Sequence, residues 1–232
     1  MKISVSDIKN YRYIVRVLTI VLCISACASI LYAAPAFINT NSSFTPTPKK
    51  DIARLTKEKL GQPPKLSKAD LKKIKQGKIV VHKVGKATDS GQLFEAFGIV
   101  NASPKKLMSF MSDYPSRVGI MPHMEKVVAN WNGNMAVVDI TIKVAFSTLS
   151  YRLNVKHFGN YYIEWEYVHG DIKNTEGSYK FFPLAKGTKT LVVYQETSDP
   201  GVPLPQFILD MLTKNSIPDV IRAMRKGTAR MK

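Results

Sequence analysis

Cysteine is scarce in this 232-residue chain: there are two, Cys23 and Cys27, both close to its start. So few thiols exclude a disulfide-dense scaffold and a four-cysteine zinc site. The four histidines, His82, His123, His157 and His169, are scattered. None stands at ligand spacing from another histidine or cysteine, so no metal is expected. Glycine and proline number 13 each, too few for a collagen-like or low-complexity chain. There is no P-loop, no G-x-G-x-x-G after a strand and no G-x-S-x-G elbow. No constellation forces catalysis, so an enzyme is the less favoured expectation. No cofactor is expected.

Acidic residues are also few, 17 against 34 Lys and Arg, for a net charge of +17. The excess is unevenly placed. Residues 49–86 hold thirteen Lys/Arg and three Asp/Glu, whereas residues 87–232 hold seventeen and thirteen. The stretch 49–86 contains no aromatic residue. A nucleic-acid surface would interleave aromatics with charge on the folded body, so no nucleic-acid partner is expected. A basic segment facing an anionic membrane surface fits better, and a solvated lysine-rich linker is the plain alternative.

Lys2, Lys9, Arg12 and Arg16 precede a run from Val17 to Ala36 without charge. A basic start, an apolar run and small residues at its end have the pattern of a secretory signal. Three readings stay open. Ala34-Pro35-Ala36 offers a cleavage site; Ile24-Ser25-Ala26-Cys27 offers a lipobox in which Cys27 is lipidated; or the run is retained as an anchor. Each places the remaining chain outside the cytoplasm, in the periplasm or cell envelope. The expected organisation is a signal peptide or anchor at 1–36, a polar, basic linker at 37–65 and one domain at 66–232.

Within that domain the periodicity predicts a helix at 67–76, opened by Ser67 and closed near Gly77. On it Lys68, Lys72 and Lys75 share one face, and Leu71 and Ile74 should face the domain. Strands follow at 78–82 and 92–101. Ser103-Pro104 is a strong helix start, and Leu107, Phe110, Met111 and Tyr114 lie on one helical face. Asn132-Gly133 signals a hairpin. Val138, Ile140, Ile142, Val144 and Phe146 share one strand parity. Tyr151, Leu153, Val155 and His157 share the next, followed by Tyr161, Ile163, Trp165 and Tyr167. Further strands fall at 178–182 and 189–197. The sheet should be antiparallel, with one apolar and one wet face. After Pro203-Leu204-Pro205 the period turns helical through Ile208, Met211, Leu212, Ile217, Ile221 and Met224, with a kink expected at Pro218.

The order of these elements resembles the helix-grip fold of the START-like (SRPBCC) superfamily, which includes polyketide cyclases and coenzyme Q-binding proteins. Asp113-Tyr114 with Ile120-Met121-Pro122, the stretch Gly177–Pro183 with Gly187-Thr188, and Asp199-Pro200-Gly201 with Pro203 and Pro205 carry the resemblance. It implies an α+β, Bet v 1-like architecture: a curved antiparallel sheet wrapped around a long C-terminal helix, enclosing an open cavity for a hydrophobic ligand. Together with strand parity, it makes Phe146, Tyr151, Leu153, His157, Ile163, Trp165, Tyr179, Phe181, Ile208, Met211 and Leu212 the candidate ligand-binding residues. Val118, Ile120 and Met121, in an irregular proline-flanked segment, are the candidate gate. The implied function is binding and transport of a lipid, sterol, quinone or similar molecule by a monomer. The alternative is an aromatase/cyclase-type enzyme acting on a polyketide-like substrate in the same cavity.

Overall fold

The computed structural model describes residues 46–88, 91–144, 147–199 and 215–231. The leader and the residues Phe146, Ile208, Met211 and Leu212 lie outside the described part.

Two short helices come first, α1 (Lys49–Leu60) and α2 (Lys68–Lys75). Strands β1 (Val80–Thr88) and β2 (Gly91–Val100) precede α3 (Pro104–Ser112) and a 3-10 turn (Pro115–Arg117). Then come β3 (Met124–Asn132), β4 (Met135–Val144), β5 (Ser147–Phe158), β6 (Tyr162–Gly170), β7 (Asn174–Leu184) and β8 (Lys189–Asp199). Helix α4 (Ile217–Arg230) closes the described chain. The eight strands form one sheet in the order β1-β2-β8-β7-β6-β5-β4-β3, every neighbour antiparallel. This is the helix-grip architecture that the resemblance implied.

The two expected helix starts are built as their residues dictate. The Ser67 hydroxyl accepts from the Asp70 amide at 3.0 Å, and the Ser103 hydroxyl from the Lys106 amide at 3.2 Å. Each satisfies one amide that has no partner within its helix, a contribution of about 1 kcal/mol. Leu107, Phe110, Met111 and Tyr114 are all buried, as their spacing requires. They join Ala96 and Val100 of β2, Val138 of β4, Leu153 and Val155 of β5, Tyr179 of β7 and Ile221 and Met224 of α4 in one core.

Several details differ from the sequence reading. The β3–β4 turn is centred on Gly133-Asn134, with Asn132 paired to Met135, because Gly133 takes the positive φ of 63° that the turn needs. Tyr161 precedes β6 and points to solvent. Pro218 stands in the first turn of α4, directly after a π-helical turn at 215–216, and the residues in which a kink would show lie outside the described part.

The outer face of the sheet is not uniformly wet. Val80, Phe97, Phe182 and Val193 form a second buried cluster there, covered by Ile74 of α2 and flanked by Leu60 and Leu66. Leu71 instead is 42% exposed, since so short a helix presents only one side chain to this cluster. Helix α1, within the segment read as a linker, packs on the same side. Its Lys59 Nζ lies 2.7 Å from Glu164 of β6 and above the rings of Phe158 and Tyr162. Thr56 is buried, and the Thr47 amide donates to Asn134 in the β3–β4 turn at 2.9 Å. On β4 and β5 the outer face is polar: Arg152 donates two bonds to the Asp139 carboxylate, at 2.7 and 2.9 Å.

Candidate functional site

The inner face of the sheet and the start of α4 enclose a cavity of about 420 Å³. Three parts of the chain line it. The strands contribute Phe94, Ile140, Ile142, Tyr151, Leu153, Val155, Ile163, Trp165, Tyr179 and Tyr194. The end of α3 and the segment after it contribute Met111, Tyr114, Arg117 and Met121, and α4 contributes Ile217 and Val220. The walls are therefore mainly apolar and aromatic, with a few polar groups, the composition of a small-molecule site. The volume is within the roughly 300–1,000 Å³ span of such sites.

Alternation along adjacent strands builds one wall. Trp165 of β6, Tyr179 of β7 and Tyr194 of β8 point inward side by side. Their ring centres are 4.9 Å apart for Trp165–Tyr179 and 5.0 Å for Tyr179–Tyr194. Burial pushes the Tyr151, Tyr179 and Tyr194 hydroxyls well above the ordinary phenol range. They remain protonated donors, not bases. Glu196 follows Tyr194 at the next inward position of β8. It accepts from the Tyr194 hydroxyl and from Thr175 Oγ1 at 3.2 Å. Burial raises its pKa, against the lowering effect of those two donors.

Of the expected ligand-binding residues, Tyr151, Leu153, Ile163, Trp165 and Tyr179 line the cavity. Phe181 does not; it is fully buried in the core beside Tyr179. His157 does not line it either. It sits behind Tyr114, with Nε2 3.1 Å from the Tyr114 hydroxyl and Nδ1 3.2 Å from Ser112 Oγ. Burial first, and the Arg117 charge second, lower its pKa to about 3, so it stays neutral. In the gate segment Met121 is buried and lines the cavity, Ile120 packs against the core, and Val118 is 40% exposed. Lys68, Lys72 and Lys75 are all exposed on α2.

Sequence reasoning missed Tyr194, Glu196 and Arg117. Tyr194 and Glu196 could have been found by extending the parity argument to the last strand. Arg117 carries a weaker signal: a single charge beside Val118, Ile120 and Met121 in a segment without periodicity.

Residues 100–225, more than half of the chain, match the family model described as polyketide cyclase/dehydrase and lipid transport. The chain belongs to this family. Solved structures share its fold. The STAR-related lipid transfer protein from Xanthomonas axonopodis aligns with 14% identity and a TM-score of 0.56, over 66% of this chain and 94% of that one. Human STARD10 aligns with 12% identity and a TM-score of 0.58, over 80% and 81%. The Zhui aromatase/cyclase from Streptomyces sp. R1128 aligns with 17% identity and a TM-score of 0.51, over 60% and 95%. At these identities the likeness is one of fold. No curated protein matches the sequence.

Proposed function

We propose that this domain binds an apolar small molecule or lipid in the cavity between sheet and α4, and carries it within the cell envelope as a monomer. The observation behind this reading is the cavity of about 420 Å³ with predominantly apolar walls, which the side chains leave open. Filling it removes apolar ligand surface from water. Each buried methylene contributes about 0.8 kcal/mol, so even a medium-length alkyl chain is held without an ionic contact. The uncharged run at 17–36 supports export, and the basic stretch 49–86 supports contact with anionic headgroups. Native mass spectrometry with lipid extraction tests the reading. The protein should carry an apolar molecule, or take one up in defined stoichiometry. A ligand-free protein that takes up nothing would contradict it.

A second reading, cyclase-type catalysis, draws on the Ser112–His157–Tyr114 chain, because the Tyr114 ring borders the cavity. That chain is a poor proton relay. A histidine held near pKa 3 is a weak base at neutral pH, and burial raises the Tyr114 pKa. Turnover of a polyketide-like substrate that disappears in His157→Ala, with the fold retained, would favour this second reading.

A further inference from the structure

The cavity contains a cation for which the described residues provide no ion-pair partner. Arg117, in the 3-10 turn after α3, is 7% exposed and lines the cavity. Its Nε is buried without a hydrogen-bond partner. Among the described residues no carboxylate lies within 4.0 Å of its guanidinium, whose centre sits 3.8 Å above the Tyr114 ring. An aromatic face attracts the cation but leaves the Nε–H donor, which lies in the guanidinium plane, unspent.

The protein has a carboxylate in the same cavity and commits it elsewhere: Glu196 is bonded to Tyr194 and Thr175. Nor is Arg117 on a loosely held loop. Its carbonyl accepts from the amides of Ile120 at 3.0 Å and Met121 at 2.8 Å, which fixes the turn that presents it. Burying a charge without a counter-charge is costly, and a planar guanidinium is matched by carboxylate or phosphate oxygens.

We propose that Arg117 receives the anionic head group, a carboxylate or a phosphate, of an amphiphilic ligand whose apolar tail occupies the cavity. This rests on the reading of the cavity as a binding site and narrows its ligand class. The tail contributes affinity through burial. Arg117 contributes orientation and discrimination against neutral molecules of the same length, because an anion both accepts from the free donor and balances the charge.

The test uses three probes of equal chain length: dodecanoate, dodecyl phosphate and dodecan-1-ol. Each is titrated below its micelle concentration into the wild type, Arg117→Met and Arg117→Lys. The wild type should prefer at least one anion over the alcohol by about tenfold or more, and the order of the two anions distinguishes a carboxylate from a phosphate ligand. Arg117→Met should abolish that preference while retaining alcohol binding, and Arg117→Lys should keep part of it. Equal affinity of the wild type for all three probes would overturn the head-group assignment and leave the cavity reading standing. The same holds if Arg117→Met keeps the anion preference. Binding of none of the three by the wild type would overturn both.

Discussion

His157 Nε2 lies 3.1 Å from the Tyr114 hydroxyl, joining the inner face of β5 to the residues that follow α3. The pair holds the end of α3 against the sheet beside the cavity, and burial keeps its imidazole neutral. Burial lowers the His157 pKa from 6.5 to about 3. As pH falls, the unfolded chain takes up a proton here near 6.5, whereas the folded chain resists until about 3. The stability linked to His157 is therefore complete above pH 6.5 and is lost across the window down to about 3. The slope is at most about 1.4 kcal/mol per pH unit. Glu196, whose pKa is raised, acts with the opposite sign above its ordinary value of 4.5. Comparison with His157→Gln isolates the histidine. Chemical denaturation from pH 7 to 4 should show a steeper loss for the wild type than for the variant; parallel profiles would contradict the neutral-histidine account.

Helix α4 approaches α3 closely because residue 227 has no side chain. A Cβ built there overlaps the Phe110 ring. Helix propensity alone favours alanine over glycine by about 1 kcal/mol. The overlap should win, since Phe110 is 2% exposed and has little room to move. Gly227→Ala is expected to destabilise by about 1–3 kcal/mol, and Phe110→Leu in the same chain should restore part of the loss. Equilibrium denaturation of the two single variants and the double variant measures both effects. A stabilising Gly227→Ala would mean that the two helices are not packed this tightly.

The exposed Lys68, Lys72 and Lys75 on α2 give a direct test of membrane contact. Each lysine near an anionic surface contributes about 1 kcal/mol, over a screening length of ~8 Å at physiological salt. Replacing all three by Gln should weaken sedimentation with phosphatidylserine-containing vesicles and flatten its salt dependence, with ligand capacity unchanged. Vesicle binding that ignores both salt and the substitutions would assign the charge to solubility alone.

Much of this architecture could be read from strand parity. Val138, Ile140, Leu153, Val155 and Ile163 are inward where alternation placed them, because one buried face imposes a period of two. Helix starts at Ser103-Pro104 and Ser67 were readable because capping chemistry is local. The docking of α1 was not readable. Its contacts are a lysine over two rings, an ion pair, one buried threonine and a single leucine, Leu60, which together make no apolar stripe. His157 was placed on the correct face, but parity does not say whether an inward side chain meets the cavity or the packing behind it. Arg117 lies in a turn, where neither period applies.

The central claim, that the cavity holds an apolar ligand, is tested most directly by the fluorescence of Trp165. The chain has two tryptophans, and Trp131, 45% exposed on β3, is removed by Trp131→Phe. Trp165 then reports alone from the cavity wall. Titrating dodecanoate below its micelle concentration into this variant should change the Trp165 emission saturably, at one equivalent. Adding Val155→Phe, which puts a larger side chain into the cavity, should suppress the change while the fold persists by circular dichroism. An emission that does not respond, or a response that survives Val155→Phe undiminished, would contradict the account.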